Sequence, residues 1–276
     1  MYKALNPSML GIKADAVRSV SLAADAGFEG VILEPDAIEA AGMETVCGLL
    51  EENRLFNAGF ELGLTPDVEG DALERELKRF PKRAAVSRLC GGTRCTHWIM
   101  SSSNLPYEQE FEHQVNRLKP FAHILYNEGI SFGLEFVGPM DAYTLFPHPF
   151  MRTMPEVLRL AEALDVPGCG LLIDTFHMYT AGHEPEELLN LHANQVICVH
   201  INDGIAGLSR DEQKDQFRLL PGGSGLAKVD KALACLRRIG YEGPVLTEPF
   251  YAPFKSGEIP EEDRPAMTMT AMQSVW

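Results

Sequence analysis

Short apolar runs rich in β-branched residues alternate with longer amphipathic stretches along the whole chain. Eight runs read as strands: residues 3–7, 29–34, 56–61, 95–101, 131–137, 170–175, 195–201 and 244–248. Each is followed by apolar positions at helical spacing: ADAVRSVSLAADAG, METVCGLLEENR, ALERELKRFPKRAAVSRL, YEQEFEHQVNRLKPFAHILYNEG, MPEVLRLAEALD, the short PEELLNLH, AKVDKALACLRRIG and MTMTAMQSVW. Parallel strands need a crossover, usually a helix, so this alternation predicts a parallel sheet. Eight such units in 276 residues predict an α/β protein with one closed (β/α)8 TIM barrel, a single domain over residues 1–276. Helix-ending glycines in AGFEG, NEGIS and RIGYEG fit that reading. No GxGxxG follows the first strand, so an open dinucleotide-binding sheet lacks its signature. FYAPFKSGEIPEEDRPAM, after the eighth strand, is a long surface loop over one barrel end, either a lid or a plain connection.

A barrel strand is buried on both faces and should be almost wholly apolar, so an ionisable residue at its end needs a reason. SFGLEFVG ends strand five with Glu135, LLIDTFH ends strand six with Asp174, VICVHIND ends strand seven with His200, and PVLTEPF ends strand eight with Glu248. In a (β/α)8 barrel these ends open on one mouth, where active sites sit. Any one of them could be satisfied by backbone N–H groups or an arginine. Three carboxylates converging there would repel one another, and a divalent cation resolves the conflict. Three oxygens and one imidazole suit Mn2+ first, with Co2+, Mg2+ or Zn2+ also compatible. Open positions on such an ion suit an α-hydroxy-ketone, while a nearby carboxylate removes the α-proton.

His177, three residues past Asp174, falls off that strand face and is expected to serve the substrate or to cap the loop. Asn6, Glu34, Glu61 and the HWIMSSSN stretch around Trp98 should line the rest of the mouth. Trp98 either stacks on a sugar face or packs in the core. The glycines of PGGSG either cradle a phosphate or turn the chain into the next helix.

The formal charge of -15, from 24 Lys+Arg against 39 Asp+Glu, argues against a nucleic-acid surface or an anionic membrane as partner. No apolar run is long enough to span a bilayer and the N-terminus lacks a leader's apolar region. The six cysteines show no CxxC spacing and read as buried, reduced thiols. A cytoplasmic protein is expected, with a homo-oligomer left open.

GLEFVGP, LLIDTFHMY, VHINDG, RLLPGGSG and LTEPF occur in this order between residues 131 and 250. On these motifs the chain resembles the xylose-isomerase-like barrel family of sugar isomerases and epimerases, the inosose isomerases of inositol catabolism above all. The resemblance implies Glu135, Asp174, His200 and Glu248 as metal ligands. It implies Glu135 and Glu248 as the acid/base pair that moves a proton between adjacent carbons through a cis-enediolate. It also implies His177 and Arg218 as substrate contacts, although by its neighbours in RDEQKDQFR Arg218 reads as a solvated loop cation. FVGPMDAY offers only Asp141 where the family's ketose 3-epimerases carry a further glutamate. Strands two and three end in ILEP and FELG, and no Asp-x-His pair follows His200, which sets the chain apart from the family's DNA-repair endonucleases. The expected activity is a metal-dependent isomerase or epimerase of an inosose, ketose or related α-hydroxy-ketone. A dehydratase or lyase of a keto-polyol and a non-catalytic sugar-binding barrel are the alternatives.

Overall fold

The computed structural model describes all 276 residues. Eight parallel strands close into a barrel in which each pairs with the next and the last with the first. They are β1 (Tyr2–Leu5), β2 (Gly30–Ile32), β3 (Phe56–Glu61), β4 (Arg94–Ile99), β5 (Ser131–Phe136), β6 (Cys169–Asp174), β7 (Val196–His200) and β8 (Pro244–Leu246). All eight expected runs are strands, shifted or trimmed by a few residues. β8 stops at Leu246 rather than at 248 because the Glu248 N–H leaves the ladder and donates to the Asn202 side chain at 2.8 Å.

The helices Ala16–Asp25, Met43–Asn53, Gly70–Leu89, Tyr107–Asn127, Met154–Ala163, Val229–Arg238 and Arg264–Val275 cover the outside, and the short sixth stretch is a 3-10 turn, Pro185–Asn190. Helices Pro35–Ala41 and Thr175–Ala181 were not expected. The second starts on the residue after β6, because the Asp174 side chain accepts the Phe176 N–H at 2.7 Å and caps it.

A core of 57 buried residues fills the layer between strands and helices. A separate cluster of Ala4, Ala58, Leu172, Cys198 and Leu246 fills the barrel interior. Alternation along each strand places the residue two further on directly above this floor. Leu172 is thus followed by Asp174, Cys198 by His200, and Leu246 by Glu248, while Gly133 stands below Glu135. Four polar ends therefore rise from one apolar plug.

The segment after β8 crosses the mouth side of the barrel. Its Arg264 is buried and donates to the carbonyls of Leu10 and Gly11, in the loop after β1, at 3.0 and 3.2 Å. The cysteines correct the sequence reading in part. Cys47 and Cys90 form a disulfide between neighbouring helices, with Cα atoms 5.3 Å apart and a sequence separation of 43, a pairing made only by tertiary packing. Cys95, Cys169, Cys198 and Cys235 are free thiols. No helix is long and apolar enough to cross a membrane.

Candidate active site at the barrel mouth

Glu135, Asp174, His200 and Glu248 each bring one ligand atom to within 4.8 Å of all the others. Asp174 and His200 are paired directly across β6 and β7. Glu135, Asp174 and His200 are 5%, 0% and 3% exposed. Within this closed group, Glu135 Oε1 and His200 Nδ1 are buried with no hydrogen-bond partner. They approach each other only to 3.6 Å. Buried polar atoms are almost always satisfied, so two orphans inside a set of hard donors fit a divalent cation. The residues present therefore suit the metal that the sequence implied.

The proton affinities follow from the same crowding. Burial, reinforced by the charges of Glu248 and Asp174, pushes the Glu135 carboxyl well above its ordinary value. Burial would also raise Glu248, but the nearby His200 imidazole and the Arg218 charge outweigh that and hold it low. For His200, burial favours the neutral ring, yet the neighbouring Glu248 and Glu135 carboxylates leave it well above normal. A cation among the four donors would compensate the same carboxylates.

Arg218 is a correction to the reading from its neighbours. Far from being solvated, it is 3% exposed and reaches back over the site. Nη1 donates to Asp174 Oδ2 at 2.9 Å and to Glu248 Oε2 at 3.1 Å, and Nη2 to Asp215 Oδ1 at 2.7 Å. Its guanidinium carbon lies 5.1 Å from the Phe176 ring centre and 4.9 Å from that of Phe250. Burial alone would lower its pKa, but the charges of Asp174, Glu248 and Asp215 raise it, so the guanidinium stays charged.

His177 stands on helix Thr175–Ala181, not on the strand, and is buried. Its Nδ1 accepts the Gly138 N–H at 3.2 Å. Its Nε2 lies 3.2 Å from Arg218 Nη2, so both ring nitrogens face donors, and burial and then the Arg218 charge lower its pKa. Nε2 lies 3.9 Å from Glu135 Oε1.

The open part of the mouth has two lobes of about 170 and about 290 Å3, both bounded by Trp98, Glu135 and Glu248. Trp98 pairs with Glu135 across β4 and β5, which sets it between the lobes. The smaller lobe adds Glu61, Thr96, His97 and His200; the larger adds His177, Asp215, Arg218 and Phe250. A third cavity of about 320 Å3 lies beyond Trp98 and holds none of the four candidate ligands.

Asn6 lines neither lobe: its Oδ1 accepts from Ser8, and its Nδ2 donates to Glu61 Oε1 at 3.2 Å. Glu34 is likewise occupied, accepting the Glu61 N–H at 3.1 Å and an Arg83 N–H at 3.2 Å. The PGGSG loop is no phosphate cradle. Its donors already serve Asp203, which accepts from the N–H groups of Ser224, Gly225 and Ala227 at 2.9, 2.6 and 3.0 Å.

Two residues that sequence reading passed over organise the site. Asn202 donates to Asp174 Oδ2 at 2.8 Å while its Oδ1 accepts the Glu248 N–H, cross-linking the ends of β6 and β8. Its spacing of two from His200 was the available signal. Phe250, stacked on Arg218, gave none.

Comparison with known proteins fits this arrangement. A sequence profile described as the xylose isomerase-like TIM barrel matches residues 20–273. An inosose isomerase of Halalkalibacterium halodurans is 27% identical over 139 residues, 49% of this chain and 45% of that protein. A 3-dehydroshikimate dehydratase of Pseudomonas putida is 25% identical over 245 residues, 84% of this chain and 36% of its own length. The chain thus matches less than half of either curated relative. The crystal structure of the IolI protein, which carries a zinc atom, superposes over 100% of this chain and 98% of its own with a TM-score of 0.82 at 16% identity.

Proposed function

Because the chain belongs to the xylose isomerase-like TIM barrel family, we propose that it is a divalent-metal-dependent isomerase or epimerase of an inosose, ketose or related α-hydroxy-ketone. The observation that carries this reading is the convergence of Glu135, Asp174, His200 and Glu248, with two of their buried atoms unpartnered. An inosose isomerase among the relatives supports the substrate class. Glu135, Asp174, His200 and Glu248 would hold the ion, Mn2+ by donor type or zinc as in the IolI protein, and when bound it supplies a Lewis acid that makes the carbon beside a carbonyl more acidic.

The chain's own groups supply the rest. Glu135 and Glu248 come from β5 and β8 and border both lobes, so a ketone lodged between them meets a carboxylate on either side. One takes the α-proton and the other returns a proton to the neighbouring carbon, while the hydroxyl proton passes to the former carbonyl oxygen, with no net gain or loss. His177, its ring held between the Gly138 N–H and Arg218 Nη2, borders the larger lobe on the substrate side. Arg218 fixes the Glu248 carboxylate and keeps it ionised.

The test is turnover of an inosose and ketose panel in D2O, followed by mass spectrometry. Isomerisation changes mass only by deuterium, whereas dehydration loses water. Glu135→Gln and Glu248→Gln should each lower kcat by roughly 100- to 10,000-fold, the range of a single general acid or base. Turnover retained by either variant with metal bound overturns the two-carboxylate mechanism.

A further inference from the structure

Glu61 is the last residue of β3 and lines the smaller lobe together with Glu135, His200 and Glu248. Asn6 Nδ2 reaches its Oε1, and no other donor contacts the carboxylate, so Oε2 faces the lobe as a free acceptor. Its own N–H is held by Glu34, and Glu34 in turn by Arg83, which fixes the backbone at this point. Arg83 therefore does not compensate the Glu61 side chain. The charged groups that line the two lobes are four carboxylates, Glu61, Glu135, Asp215 and Glu248, against one guanidinium, Arg218, with His97, His177 and His200 beside them. The nearby glycine-loop donors are spent on Asp203.

We propose that Glu61, oriented by Asn6, is a specificity-determining residue that accepts a hydrogen bond from a substrate hydroxyl remote from the reacting carbons and disfavours substrates carrying a phosphate or carboxylate there. The proposal rests on the reading above that this cavity takes a polyol-ketone, and it adds the group that reads the far end of that molecule. Burial and then the Glu34 and Glu248 charges push the Glu61 carboxyl up to about 7; above that pH it accepts from a hydroxyl and repels an anion placed against it.

The experiment compares the wild type with Glu61→Gln and Glu61→Leu. It measures kcat and KM on an inosose and on a ketose with and without a terminal phosphate, and the affinity of unreactive myo-inositol by calorimetry. Loss of a charge-assisted hydrogen bond should raise KM for the neutral substrate and the inositol Kd by roughly 10- to 100-fold in Glu61→Leu, with kcat within a few fold. Glu61→Gln, which keeps shape but not charge, should narrow the preference for neutral over phosphorylated ketose by about ten-fold. Unchanged KM and inositol affinity in both variants, or a wild type that prefers the phosphorylated ketose, overturns the proposal. If no ketone is isomerised but both variants lose inositol affinity, the catalytic reading fails and the role of Glu61 stands.

Discussion

Replacing Arg218 by methionine removes the one guanidinium that faces Asp174 and Glu248 while keeping an apolar side chain between Phe176 and Phe250. Asp174 is fully buried and would lose its 2.9 Å partner; Glu248 would lose its 3.1 Å partner. Breaking a buried ion pair from one side costs about 3–5 kcal/mol, because the remaining charge is left unpaired. For a chain of this size about 1 kcal/mol corresponds to roughly 2–4 °C, so the metal-free variant should melt roughly 6–20 °C below the wild type. A divalent cation among the four candidate ligands would neutralise the same two carboxylates. The deficit should therefore shrink by about half or more at saturating Mn2+, since the metal binds the folded state and offsets the lost charge. Thermal unfolding followed by circular dichroism, in EDTA and in Mn2+, measures both. A deficit below 1 kcal/mol in EDTA, or one equal with and without metal, would refute the charge-sharing account.

Gly138→Ala would drive a Cβ into the His177 carbonyl and the Ala181 backbone of the capped helix, so His177 should shift and kcat/KM fall by roughly 100-fold, with metal affinity by calorimetry little changed. Asp203→Ala strands the buried Ala227 N–H and frees those of Ser224 and Gly225; urea unfolding should show a loss of about 1–3 kcal/mol, and hydrogen exchange should speed up at residues 224–227. His97 is held down to about 3 by burial and then by the Arg117 charge. Below its unfolded pKa of about 6.5 the unfolded chain binds a proton that the folded chain refuses, so its contribution is complete above that pH and lost as pH falls toward 3, at about 1.4 kcal/mol per unit. A His97→Gln variant should show a correspondingly shallower acid-side loss of stability in chemical denaturation between pH 6.5 and 4.

The eight strands were legible because parallel barrel strands are buried on both faces and so stand out as apolar runs. For the same reason Glu135, Asp174, His200 and Glu248 were legible: a charge that interrupts such a run has no apolar explanation. What escaped was set by contacts between segments distant in sequence. Asp174 both ends a strand and caps a helix, so no turn residues marked the start of Thr175–Ala181. Arg218 sits in a run of charges, and only the fold shows that it turns inward with Asp215 while Asp211, Glu212 and Lys214 stay outside. Asp203 comes 21 residues before Ser224, and nothing local says that it will take the donors a phosphate would have used.

The plug of Ala4, Ala58, Leu172, Cys198 and Leu246 beneath the four ligands is buried and apolar. An ion resting above it would find almost no screening from below, while water can enter from the mouth. Its field would therefore be expelled from the barrel and channelled outward along the axis, as from the open end of an insulated well. The sheet that supplies the ligands thus also gives the site a direction, so that an approaching molecule would be turned by its dipole before it touches any side chain.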